Sequence, residues 1–219
     1  MTIPKSIFQT ILFLVILELI GTWVLFGVHF DIFELILRSK FINSLPQLLI
    51  ILYFLYRVNG LHGLVISKTF FKFYLFALLL GISAPFIQEI LKILYYQEIP
   101  INLFQFQLDF SELMKLNSIA GMLIIPFSEE FFFRHYIQKG LQEKYMPLIS
   151  ILVTSVLFGA IHLTNFIYNE GMLEPNFYQS FAASILGILT GILYFKSKSV
   201  GPPIILHIIW NMTIYITLT

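Results

Sequence analysis

The 219-residue chain contains no cysteine. Disulfides, thiolate nucleophiles and Cys-ligated metal sites are therefore excluded, and the redox compartment stays unread. Charge is scarce as well: 11% of residues are charged, against about 25% in an ordinary soluble domain. The few Lys and Arg lie between apolar runs and form no block, so nucleic acid is not an expected partner, and a net charge of +1 points to no other. No small-residue cleavage pattern follows the first apolar run, so that run is expected to remain as a span and not to be removed as a signal peptide. There is no internal repeat and no low-complexity linker. The expected organisation is one integral membrane domain over residues 1–219, with a motif-bearing core at 116–218.

What is present is apolar. Hydrophobic residues make up 58% of the chain, including 24 Phe and 11 Tyr, and the mean hydropathy is +0.86. One globular core of this size cannot hide that much apolar surface, but a bilayer can absorb it. Seven apolar stretches, near 7–28, 42–58, 70–91, 116–136, 147–165, 180–195 and 202–218, approach the ~20 residues that cross a hydrocarbon core. A backbone in lipid must satisfy its own hydrogen bonds, which makes these stretches helices. The expected fold is all-α, a polytopic transmembrane bundle of about seven spans.

Charge sets the orientation. Lys5, Arg57, Lys68, Lys72, Arg134, Lys139, Lys144, Lys196 and Lys198 fall on one side, and only Arg38, Lys40, Lys92 and Lys115 on the other. The second side is acidic, with Asp31, Glu34, Glu89, Glu98, Asp109, Glu112, Glu170 and Glu174. The bias predicts a cytoplasmic N-terminus and an external C-terminus in a cell membrane, expected to be prokaryotic.

Three clusters carry chemistry. The first is Ser128-Glu129-Glu130-Phe131-Phe132-Phe133-Arg134, inside the fourth stretch. Charges in a membrane helix are expensive and face the bundle interior or an aqueous cavity. Glu130 and Arg134 are one turn apart and can pair. Glu129 is rotated about 100° from Glu130 and is the carboxylate left over, which suits a general base. A purely structural lock between helices is the other reading. The second cluster is Phe158-Gly159-Ala160-Ile161-His162 on the fifth stretch, where Gly159 makes room for a neighbouring helix. A lone membrane histidine serves helix-to-helix hydrogen bonding or catalysis. The third is His207-Ile208-Ile209-Trp210-Asn211 on the seventh, where His207 and Asn211 share a face and can bind a carbonyl oxygen or orient a water. A structural hydrogen-bond pair accounts for it equally well. Measured along each helix at about 1.5 Å per residue, Glu129, His207 and Asn211 reach a similar depth, whereas His162 lies deeper unless its helix tilts or starts outside the hydrocarbon.

Glu-Glu-x-x-x-Arg, Phe-x-x-x-His and His-x-x-x-Asn, in this order on three separate spans over 129–211, resemble the CAAX prenyl protease and bacteriocin-processing family (CPBP, or Abi). The first three stretches match it only in hydrophobicity. The resemblance implies an intramembrane endopeptidase acting on a membrane-associated, prenylated or signal-peptide-like substrate. It also implies that Glu129 and His162 activate water, that His207 and Asn211 stabilise the oxyanion, and that Glu130 and Arg134 support them. The family is often called metalloprotease, but His-Glu-x-x-His is absent. Glu129, His162 and His207 would be the ligands of a zinc ion. The metal-free version, with Glu129 as base, is the favoured one. Some relatives act without proteolysis, as bacteriocin immunity factors or sensor-kinase modulators, and a small-solute carrier is disfavoured by the lack of an inverted repeat. Besides lipid, the expected partner is a peptide or protein substrate.

Two motifs concern packing. Gly187 and Gly191, preceded by Ala183, form a GxxxG that permits close helix approach. Pro126 frees the Met122 carbonyl and is expected to kink the fourth span. His29, His62 and His135 are expected at loops or span ends, solvated or interfacial. Glu18, mid-way along the first stretch, either bonds a neighbouring helix or lines a water path.

Overall fold

The computed structural model describes residues 1–26, 40–60, 65–100, 102–164, 166–169 and 172–217. His29, His62, Asp31, Glu34, Arg38 and Glu170, and the side chain of Glu18, lie outside the described residues. Helices fall where the apolar stretches predict them: α1 (Ile3–Phe26), α2 (Lys40–Asn59), α3 (Phe71–Ile82), α4 (Ala84–Tyr96), α5 (Leu116–Gln142), α6 (Pro147–Ile161), α7 (Phe177–Ser197) and α8 (Gly201–Thr217). A short antiparallel ribbon, β1 (Phe166–Asn169) with β2 (Met172–Pro175), joins α6 to α7, with Phe166 facing Pro175 and Asn169 facing Met172.

Among the described residues, α5, α7, and α6 continued through Thr164 are long and apolar enough to cross a membrane. The pair α3 and α4 makes a fourth candidate if it is read as one span with a 56° bend. The third apolar stretch is thus broken, and the cause is local. Ser83 ends α3 and also precedes α4, whose second residue is Pro85. Proline has no N–H to continue the helical ladder, and its ring clashes with the carbonyl four residues back.

Proline also shapes α5, though not as a simple kink. Residues Ala120–Ile124 form a π-helical turn directly before Ile125 and Pro126. The wider turn takes up the backbone disturbance that Pro126 introduces, and α5 continues as one helix. A second π-helical stretch, Phe131–Gln138, follows the acidic pair. Elsewhere prolines begin helices, at Pro147 of α6 and at Pro202 and Pro203 of α8, where a missing N–H costs nothing. The α7 N-terminus is capped by Asn176, whose side-chain oxygen accepts from the Gln179 amide at 2.9 Å.

The main core sits around α5. Phe131, Phe132 and Phe133 are all buried, on three sides of the helix. Phe132 stacks on Phe13 of α1 at 4.3 Å, and Phe133 meets Phe158 of α6 edge-on at 5.2 Å. One turn further, Tyr136 packs edge-on against Phe54 of α2 at 4.9 Å. A second cluster joins Ala77 of α3 to Leu186 and Leu193 of α7 and to Leu206 and Trp210 of α8. Large apolar side chains also cover the outside, among them Phe70, Phe71, Leu79, Leu94 and Leu148, as a lipid-facing bundle requires.

The small residues act as predicted. A Cβ on Gly159 would lie 2.7 Å from the Ser180 carbonyl, and one on Gly187 would lie 3.1 Å from Ser155 Cα, so α6 and α7 touch backbone to backbone. The expectation for His135 is corrected. It lies inside α5, buried, with its ring 5.8 Å from Phe131, because the fourth span runs on to Gln142 and not to about 136. For the same reason Arg134 is a core residue and leaves the set of loop charges.

Candidate active site

One end of the bundle is hollow. A cavity of about 840 Å3 is lined by Gly121, Ile125 and Glu129 of α5, Phe158 and Ile161 of α6, and His207, Trp210 and Asn211 of α8. His162, Thr164 and the first turns of α7 complete its wall. Gln88, Glu89 and Lys92 of α4 stand with Asn102, Gln105 and Asn176 around it, so the side of the bundle bearing 97–115 and 162–176 is where it opens. All four residues named as reactive from the sequence reach this one space.

The acidic pair divides as helical geometry predicts. Glu130 and Arg134 are fully buried, and Arg134 Nε donates to Glu130 Oε2 at 3.0 Å. Glu129, 6% exposed, lines the cavity and has no such cation on it. The His207 Nε2 lies 3.9 Å from Glu129 Oε2, beyond hydrogen-bond reach.

Sequence reasoning missed the second partner of Glu130. Its Oε1 accepts from His207 Nδ1 at 3.0 Å, which leaves Nε2 to face Glu129 and the cavity. One carboxylate therefore holds the guanidinium through one oxygen and the imidazole through the other. No spacing could have shown this, since the two residues belong to different helices.

His162 lies at the end of the fifth span, which runs to Thr164. It caps α6 and opens a single 3₁₀ turn over His162–Thr164. Its Nδ1 is 2.9 Å from the Phe158 carbonyl. A carbonyl oxygen only accepts, so Nδ1 carries the proton and Nε2 keeps its lone pair. This placement explains the depth mismatch: the cavity dips in from the end of the bundle at which α6 stops, so a residue at the end of that helix still lines it.

Asn211 is held by its amide, which donates to the Gly121 carbonyl at 2.8 Å. A Cβ at Gly121 would run into the Tyr215 hydroxyl, so this part of α5 is pressed closely on α8. The second amide N–H of Asn211 is left over for the cavity.

Phe158 went unread as a site residue. Its ring lies 5.0 Å from that of His162 and 5.7 Å from that of His207, and Arg134 Cζ sits 5.4 Å from its centre. It is the apolar wedge that spaces the two histidines. The signal in the sequence was its position one turn before His162.

A metal was tested against the donor set. A carboxylate and two imidazole Nε2 atoms are zinc-type ligands. However, among the described residues no group of three or more His, Asp or Glu is gathered so as to hold an ion. Glu129, His162 and His207 as placed here do not fit one, and no step below is routed through a metal.

Residues 111–213 match the model of the family described as Type II CAAX prenyl endopeptidase Rce1-like, which is the resemblance carried by the three motifs. The matched segment contains Glu129, Glu130, Arg134, His162, His207 and Asn211, and begins after α4. No curated protein and no solved structure matches the chain.

Proposed function

We propose, from the premise that residues 111–213 are a segment of the Rce1-like CAAX endopeptidase family, that this protein hydrolyses a peptide bond inside the membrane. The observation that carries the reading is convergence: Glu129, His162, His207 and Asn211, from three motifs on separate elements, line one cavity. The bundle spans the bilayer about seven times, with α3 and α4 together as the broken third span. The N-terminus is cytoplasmic and the cavity opens outside. Removing buried Arg134 from the loop charges leaves eight Lys and Arg against four, so the bias behind that orientation persists.

The chain's own groups suffice for the chemistry. A water about 2.8 Å from both Glu129 Oε2 and His207 Nε2 fits across their gap. Glu129, assisted by the His162 Nε2 lone pair, takes a proton from this water as its oxygen attacks the scissile carbonyl carbon. Charge then develops on the carbonyl oxygen. Asn211 meets it with its second amide N–H. His207 meets it as the imidazolium, Nδ1–H held by Glu130 and Nε2–H aimed at the oxygen. Collapse of the tetrahedral intermediate breaks the C–N bond, and the proton held by Glu129 passes to the leaving amine. Glu130 and Arg134 touch no substrate and serve to aim His207.

Purified protein in detergent is expected to cleave a quenched, membrane-anchored peptide, and Glu129→Ala to abolish cleavage while accumulating normally. Full rescue of a knockout phenotype by both Glu129→Ala and His162→Ala would instead assign that phenotype to a non-proteolytic role.

A further inference from the structure

Gln138 belongs to none of the three motifs, yet it is fully buried one turn beyond Arg134 on α5. Both ends of its amide are occupied. The oxygen accepts from Arg134 Nη1 at 3.4 Å, and the nitrogen donates to the Gly191 carbonyl of α7 at 2.8 Å. A buried hydrogen-bonded chain thus runs from the α7 backbone through Gln138, Arg134 and Glu130 to His207 on α8.

A second observation marks the α7 end independently. A Cβ on Gly191 would sit 3.1 Å from Gln138 Oε1, 3.1 Å from Ile151 Cγ2 of α6 and 3.5 Å from Arg134 Nη1. On Gly187 it would meet the backbone of Ser155. Both glycines of the GxxxG therefore face α6, and Gly191 in addition admits the polar chain.

A buried guanidinium holds its direction only through its partners. Arg134 uses Nε on Glu130 and Nη1 on Gln138, while Nη2 has no hydrogen-bond partner among the described residues. Without Gln138, Arg134 keeps one hydrogen-bonded anchor, and that anchor is the carboxylate that aims His207. Any swing of the guanidinium is then passed to the imidazole.

The geometry points to Gln138 and Gly191 as positioning residues, whose hydrogen bond ties α7 to the Arg134–Glu130–His207 chain and so sets the direction in which His207 Nε2 faces Glu129. The effect on turnover rests on the peptidase reading; the effect on His207 does not.

The test uses the full chain in detergent, labelled with 15N-histidine, with the His207 ring resonances assigned by their loss in His207→Gln. Gln138→Leu and Gly191→Ala are each expected to move the His207 resonances, with Gln142→Leu on the same helix leaving them in place. On the membrane-anchored peptide, each is expected to lower kcat about 10-fold or more at unchanged KM, the scale typical of groups that orient a site. The double variant is expected to lose little more than either single one, because both cut the same link. If Gln138→Leu fails to accumulate, Gly191→Ala, which adds one carbon, carries both readouts. Unmoved His207 resonances in a folded variant would overturn the inference, whether or not the wild type cleaves. A wild type that never cleaves, with resonances that do move, would sink only the peptidase reading.

Discussion

His207 and Glu130, 77 residues apart in sequence, are joined by a buried 3.0 Å hydrogen bond from Nδ1 to Oε1. The second of the two adjacent glutamates therefore belongs to the histidine on α8 as much as to the arginine on α5. Its neighbour Glu129, one residue away, faces the cavity instead. This division of one dipeptide between support and chemistry gives the first prediction.

Glu129→Gln is expected to abolish cleavage and leave thermal stability near the wild-type value. Glu130→Gln removes the negative charge from between Arg134 and His207, all three fully or nearly fully buried. Breaking a buried pair costs about 3–5 kcal/mol in soluble proteins, so this variant should lose stability as well as activity. Thermal unfolding in detergent checks it, and equal midpoints for the two variants would contradict the division.

Water activation and oxyanion binding should respond differently to mutation. Glu129→Ala combined with His162→Ala should cost little more than either alone, since groups that act as a unit are not additive. Asn211→Ala removes a donor and leaves the base, so turnover should fall by about 10²–10³ and not vanish. Steady-state kinetics on the membrane-anchored peptide separate the two patterns.

Packing of α6 on α7 should tolerate no added carbon at Gly159. A Cβ there would press on the Ser180 carbonyl at 2.7 Å, and Ser180 Oγ also donates to the Gly159 carbonyl at 2.8 Å. Gly159→Ala must push the helices apart, and overpacking of this kind costs about 1–3 kcal/mol. A lowered unfolding midpoint is expected, with activity falling because His162 ends the same helix. An unchanged midpoint would mean that the two helices part freely.

The absence of cysteine makes orientation directly measurable. Single cysteines replacing Asn102 or Asn176 at the cavity mouth should react with a membrane-impermeant maleimide added outside intact cells. One replacing Lys144, beyond the opposite end of α5, should react only after the membrane is opened. The reverse pattern would invert the topology and turn the cavity to the cytoplasm.

Metal removal is the last check. Purified active protein is expected to hold well under one zinc per chain by elemental analysis and to keep its activity in chelator. Stoichiometric zinc that is lost together with activity, and lost again in His162→Ala or His207→Ala, would show that the three donors close up around an ion.

The sequence by itself determined the helices, because in lipid an apolar run has no other way to satisfy its backbone. It also determined the Glu130–Arg134 pair, which follows from residues a turn apart on one helix, and marked Gly159 and Gly187 as places where a helix could come close, without saying which one. The four cavity residues were legible as ionisable or amide groups in apolar helices that lipid would not tolerate without a purpose. Span ends were less legible: buried Arg134, His135 and Gln138 look like a polar margin until neighbouring helices are seen to cover them. Only the tertiary structure decided that Glu130 serves His207, that His162 caps its helix, that Phe158 spaces both histidines, and that Gly191 yields its carbonyl to Gln138. Each of these is a contact between helices, and helical periodicity fixes the face on which a side chain stands but not the helix that comes to meet it.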